Sequence, residues 1–169
     1  MLASWVQPLS AALVALLLTG CGSNLGGSGA GSGHGRQMSE QVRVVRGPQG
    51  SVTVLMPVTI EGRGPYTFAL DTGASNSLVD TTVAEQVGLP SAGGQQAIGG
   101  VGGVERALPV RISRWSSGPI TFPPVTAFAA QLPTSRRNGG LRGLVGSDVW
   151  SNLGSFTLDY RTGTLTVNT

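Results

Sequence analysis

One stretch of this chain ends an apolar run in chemistry: Tyr66-Thr67-Phe68-Ala69-Leu70 leads straight into Asp71-Thr72-Gly73-Ala74-Ser75. Five residues of strand character give way to an acid, a hydroxyl and a glycine, an odd way to end a buried strand. An Asp placed there, in a low-dielectric cleft among hydroxyl and backbone donors, can hold a proton-sharing geometry that a surface Asp cannot. Gly73 lets the backbone turn sharply beside it. Alone, the triplet reads better as a β-turn with Asp at its first position. Its context argues for more, because it follows a strand and precedes a second apolar run, Ser77-Leu78-Val79, and then a short helical pattern.

Other chemistries are poorly supplied. Cys21 is the only cysteine, so no disulfide forms within a chain and no thiolate zinc site can be built. The only histidine, His34, sits in a Gly/Ser tract, which leaves no Ser-His-Asp triad and no multi-histidine metal site. Neither metal nor organic cofactor is expected. All 11 basic residues are Arg, scattered through the chain with a net charge of +3, which gives little support to a nucleic-acid partner. The glycine-rich run Gln95–Val104 lacks the Gly-Lys-Ser/Thr ending of a phosphate-cradling loop.

The elements that must position Asp71 read as strands. With 27 Gly, 10 Pro and 11% charged residues, the composition suits an all-β domain rich in turns, expected over 41–169. Val42, Val44 and Val45 suggest a first strand, and Gly47 to Gly50 a turn. Val52, Val54, Met56, Val58 and Ile60 recur every second residue, with Pro57 on the other face marking an edge or a bulge. Glu61 to Pro65 predicts a hairpin connection into the Tyr66–Leu70 strand. Asp80 or Thr81 caps a helix carrying Val83, Ala84 and Val87, stopped by Gly88 and Pro90; Asp80 could also be a second catalytic acid, but capping explains it. Leu108, Val110 and Ile112 form another strand, Arg114 to Gly118 a turn, and the β pattern from Ile120 to Phe128 is interrupted at Pro123-Pro124. Arg136 and Arg137 belong to a polar loop. Ser147 reads as the cap of a second helix with Asp148 in its first turn, and Phe156 to Val167 as a closing hairpin in which Asp159 is structural.

Asp71-Thr72-Gly73, together with Gly143-Leu144-Val145-Gly146, resembles the retropepsin-like aspartic proteases, the single-lobe relatives of pepsin. The resemblance covers about 41–169 and implies an all-β closed barrel or sandwich lobe with one or two short helices, pairing about a two-fold axis. It implies that Asp71, Thr72 and Gly73 form the catalytic loop, supported by Ser75, Leu144, Val145 and Gly146. Gly99, Gly100, Val101, Gly102 and Gly103 would be a flap whose amides bind a peptide substrate. Chemistry of this type uses two carboxylates that share a proton. The chain has one such triplet, and about 130 residues cannot hold two lobes. A homodimer would supply the second Asp71, with Thr72 hydrogen-bonding across the axis. A catalytically silent dimeric binding module, or a structural lipoprotein of the cell envelope, is the rival reading, since fold does not establish activity.

The N-terminal segment predicts export. Residues 1–20 form a leader with an apolar core, Ala11 to Leu18, too short for a permanent span. Leu18-Thr19-Gly20-Cys21 looks like a bacterial lipobox that leaves Cys21 as the lipidated first residue, although the leader carries no Arg or Lys before its core. Residues 21–40 are read as the lipidated cysteine and a flexible Gly/Ser tether, whose 17 residues from Gly22 to Met38 would span about 20–25 Å. The expected place is the outer side of a bacterial membrane.

Overall fold

The computed structural model describes residues 36–100, 103–132 and 140–168. The leader 1–20, Cys21, His34, the flap residues Val101 and Gly102, and Arg136 and Arg137 lie outside the described residues.

Backbone pairing joins the first and last strands of the described residues. Strand β1 (Gln37–Gln41) lies antiparallel to β13 (Thr164–Asn168), which pairs on its other side with β12 (Ser155–Asp159). Residues 37–40, expected to be the end of the tether, are strand instead. Polar residues on β1 find partners on β13, with Ser39 Oγ 3.0 Å from Thr166 Oγ1, which a reading based on apolar alternation misses. Val42 steps out of the sheet, donating its N–H to Gly163 O at 2.8 Å, and is buried.

The larger sheet begins with β2 (Arg43–Arg46) against β3 (Val52–Ile60), and β3 pairs with β4 (Arg63–Leu70). Val54, Met56, Val58 and Ile60 all point into the core, as their alternation demands. Pro57 is tolerated because β2 reaches β3 only as far as Leu55, while β8 (Trp115–Ser117) joins it at Thr59, leaving no partner on that flank to miss an N–H. Glu61 and Gly62, at φ of 49° and 77°, make a two-residue turn between the paired Ile60 and Arg63. This turn is tighter than the five-residue connection expected.

Beyond β4 come β5 (Leu78–Asp80), α1 (Thr81–Val87), β6 (Gln96–Gly100), β7 (Gly103–Ile112), β9 (Ile120–Phe122), β10 (Val125–Ala130), β11 (Gly143–Val145) and α2 (Ser147–Trp150). Asp80 caps α1 as predicted, and Gly88 ends it in the left-handed region at φ 72°. Trp115 to Ser117, expected to turn the chain, instead form β8 and pair with β9, because burying Trp115 outweighs the turn signal of its neighbours. Pro123 and Pro124 separate β9, which pairs with β8, from β10, which pairs with β7. The strand order is β6-β7-β10-β5-β11-β4-β3-β8-β9, with β2 beside β3. Among the described residues this path stays open, so the lobe is a single all-β unit without barrel closure. Leu165 and Val167 of the small sheet enter the same core as Met56, Phe68 and Val145. Trp150 packs between Phe122 and Phe156, at ring separations of 5.8 and 5.0 Å.

Candidate active site

The sheet order β5-β11-β4 dictates the loop that carries Asp71. Strand β11 runs parallel to β4, with Val145 level with Leu70, and antiparallel to β5. To pass from β4 to β5 the chain must cross the end of β11, and residues 71–77 do so. The ladder extends one bond past β4, Asp71 N donating to Val145 O at 3.0 Å. The same carbonyl accepts the Trp150 indole N–H at 2.8 Å, tying the loop to the aromatic core.

Gly146 is the residue passed over. A Cβ there would lie 2.7–2.9 Å from Asn76 C, Asn76 O and Ala74 O, all backbone, so only glycine fits beneath the crossing. Gly143, one strand length back, abuts the Phe68 ring and the Leu78 carbonyl in the same way. Gly143 and Gly146, flanking Leu144 and Val145, are thus points of close backbone approach beneath the loop.

Asp71 is half-buried, with Thr72 and Gly73 exposed beside it. Its Oδ1 accepts the N–H groups of Gly73 at 3.0 Å and Ala74 at 3.1 Å, which fixes the carboxylate plane against its own loop. Among the described residues neither bond uses Oδ2, which leaves that oxygen free to meet a proton, a water or another carboxylate. Two grooves, one bounded by Val42, Met56 and Tyr66 and the other by Thr82, Gln86 and Arg142, lie away from Asp71.

Ser75, expected to support the loop, is exposed. The support comes from Ser77, fully buried, whose Oγ accepts from Gly146 N at 3.0 Å and donates to Asp148 Oδ1 at 2.8 Å. Ser77 N donates to Asp148 Oδ2 at 2.9 Å. Ser147 lies inside α2 with Gly146 as the cap; its N–H and hydroxyl both reach Ala74 O, at 2.8 and 3.0 Å. A serine six residues after an acid carries no sequence signal of its own; only the crossing of loop over strand brings positions 77 and 148 together.

Asp80 has no room for catalysis. It is fully buried, with Oδ1 accepting from Thr82 N and Oδ2 from Leu132 N, each at 3.1 Å, and Arg142 4.0 Å away. Among the described residues no group of three or more His, Cys, Asp or Glu side chains could hold a metal ion. The glycine-rich hairpin is present: β6 and β7 pair from Gln96↔Ala107 to Gly100↔Gly103. It stands at the end of the sheet path, and Gly99 is exposed with open space around it.

The Aspartyl protease family profile matches residues 56–149, 94 of the 169 residues, from mid-β3 through the crossing loop to α2. The chain belongs to the aspartyl protease family. Its enzymatic class is that of an aspartic-type endopeptidase, a hydrolase. In fold it is similar to a retropepsin-like aspartic protease from Rickettsia conorii, with 16% identity and a TM-score of 0.50 over 79% of this chain and 90% of that one. The EIAV protease in complex with an inhibitor, 19% identical, matches over 69% of this chain and 100% of its own at a TM-score of 0.46. No curated protein matches in sequence. The matched range takes in Asp71-Thr72-Gly73 and the loop that crosses β11.

Proposed function

We propose that the protein is a membrane-tethered aspartic endopeptidase that works as a homodimer, with two Asp71 side chains sharing one proton. The carrying observation is the Asp71 carboxylate itself, half-buried and held through Oδ1 by Gly73 and Ala74, with neither bond using Oδ2. One carboxylate, deprotonated, takes a proton from the attacking water; the other, protonated, donates to the scissile carbonyl and stabilises its developing charge. Two carboxylates in contact cannot both ionise, so the shared proton follows from the pairing. Thr72, exposed beside Asp71, would hydrogen-bond to its counterpart across the axis. The flap hairpin Gly99–Gly103 would close over a peptide and pair with it through backbone amides. Lipidation at Cys21 and the Gly/Ser tether hold the lobe at the outer side of a bacterial membrane; the sequence Leu18-Thr19-Gly20-Cys21 supports this reading.

The test is cleavage of a mixed peptide library by wild type and by Asp71→Asn, with and without pepstatin, alongside sedimentation. Pepstatin-sensitive cleavage by a dimeric wild type, lost in a dimeric Asp71→Asn protein, is the expected result. Undiminished cleavage by the Asn variant removes Asp71 from the mechanism. A dimer that cleaves nothing supports the silent binding module instead.

A further inference from the structure

We infer that Ser77 and Asp148 form a positioning clamp that sets where the Asp71 carboxylate stands, an inference that rests on the catalytic role proposed for Asp71. The crossing loop is attached to the sheet at three points. At its start, Asp71 N donates to Val145 O; in its middle, Ala74 O accepts from Ser147; at its end, Ser77 Oγ accepts from Gly146 N. Two of these points involve adjacent residues, Val145 and Gly146, so any movement at the Ser77 end is passed to the Asp71 end across one peptide unit.

Asp148 decides how the Ser77 hydroxyl is used. A serine hydroxyl has one proton and can rotate it. With the Asp148 carboxylate 2.8 Å away, that proton is drawn to Oδ1, which turns an oxygen lone pair toward Gly146 N. The second carboxylate oxygen takes Ser77 N at 2.9 Å, so the acid holds both backbone and side chain of the same residue from 71 positions away. Behind it, Ser77 O accepts from Phe128 N at 3.0 Å, anchoring the clamp to β10. Among the described residues the Asp71 side chain bonds to Gly73 N and Ala74 N, not to Ser77 or Asp148; those two act on it through the backbone. Placement of a reacting group to well under 1 Å is worth as much as about 100-fold in rate, and that is what the clamp supplies.

The experiment compares the full chain as wild type, Ser77→Ala, Asp148→Ala, Asp148→Asn and the double alanine variant. Amide hydrogen exchange is read at Asp71, Gly73, Ala74 and Gly146, with Val58 and Ile112 as core references. Exchange at the loop amides is expected to rise at least about tenfold in each alanine variant with the references unchanged, and the double variant to exchange no faster than the worse single one, as for residues acting as a unit. In peptide cleavage, kcat is expected to fall about 10- to 100-fold while KM changes less than about threefold. Asp148→Asn, which keeps an acceptor for Ser77 N, should recover most of both readouts. Unchanged loop exchange, a rise shared equally by Val58 and Ile112, or effects that simply add in the double variant would overturn the clamp. A wild type that cleaves nothing defeats the proposed function, while the exchange comparison still decides the clamp. If Ser77→Ala does not fold, the two Asp148 variants carry the same comparison.

Discussion

Replacing Gly146 by Ala puts a methyl group in place of a hydrogen where the crossing loop lies directly against β11. The new Cβ would stand 2.7 Å from Asn76 C, 2.8 Å from Asn76 O and 2.9 Å from Ala74 O. None of these is the far end of a flexible side chain, so relief requires the crossing loop to lift from β11. Overpacking of this kind costs about 1–3 kcal/mol. Lifting also weakens the bonds Gly146 N to Ser77 Oγ and Ser147 N to Ala74 O, each worth about 1 kcal/mol net. A total near 3 kcal/mol, at roughly 3–5 °C per kcal/mol for a domain of about 130 residues, lowers Tm by about 10–15 °C. Gly94→Ala is the control, since nothing lies within 4 Å of a Cβ there, and its stability should stay within about 0.5 kcal/mol of wild type. Thermal and urea unfolding at fixed protein concentration read the difference, and the loss of Asp71 placement should reduce peptide cleavage at temperatures where the variant is still folded. A Gly146→Ala protein as stable as Gly94→Ala would refute the reasoning, because the loop would then have slack over β11.

Thr72→Ala should weaken association, so that cleavage per chain recovers in part as protein concentration rises; a concentration-independent defect would count against a cross-axis bond. Cys21→Ser should release the protein into the aqueous fraction with its β domain intact, read by lipid labelling and detergent partition, since stable anchoring takes more than one acyl chain. Glu61 accepts from Arg114 N and Ser113 N and pairs with the Arg114 side chain, and the Arg114 backbone bond foremost holds its pKa below the ordinary 4.5. A lowered folded pKa gives stability that is present above 4.5 and lost as pH falls through the folded value. Glu61→Gln should therefore cost about 1 kcal/mol or less at neutral pH, and the gap to wild type should shrink on acidification below that range; a gap constant with pH would exclude the charge as its source. Asp80→Asn should destabilise by roughly 1–3 kcal/mol in urea unfolding, because one of its two backbone donors loses its acceptor, while leaving the peptide-cleavage pH profile unchanged in shape.

Much of this architecture is legible in the chain because burial leaves periodic marks. The alternation of Val54, Met56, Val58 and Ile60, the Asp80 cap with Gly88 closing α1, and the break at Pro123-Pro124 are local rules obeyed locally. What escapes is set by pairing at long range. Gln37 to Glu40 carry no apolar pattern and become a strand only because β13, more than 120 residues away, offers them a free edge. Trp115 sits among turn-forming neighbours, yet its burial and the bond from its indole N–H to Pro123 O at 2.8 Å make a strand of the segment. Ser75 and Ser77 are indistinguishable by type; the loop's path over β11 turns one outward and buries the other.

The same logic separates three aspartates that look alike in sequence, each placed at the end of a strand or the start of a helix. Asp80 spends both oxygens on backbone donors and lies beside Arg142; Asp148 spends both on Ser77. Each is a structural acceptor with its hydrogen-bonding capacity directed inward. Asp71 differs in using a single oxygen for two neighbouring amides of its own loop, which orients the carboxylate without committing its second oxygen among the described residues. A carboxylate oriented but half-satisfied is costly to hold beside an apolar sheet unless something else completes it. In an isolated lobe water does so. In the proposed two-fold pair, an identical loop would bring an identical open oxygen, and the two together could hold the one proton that neither can use alone.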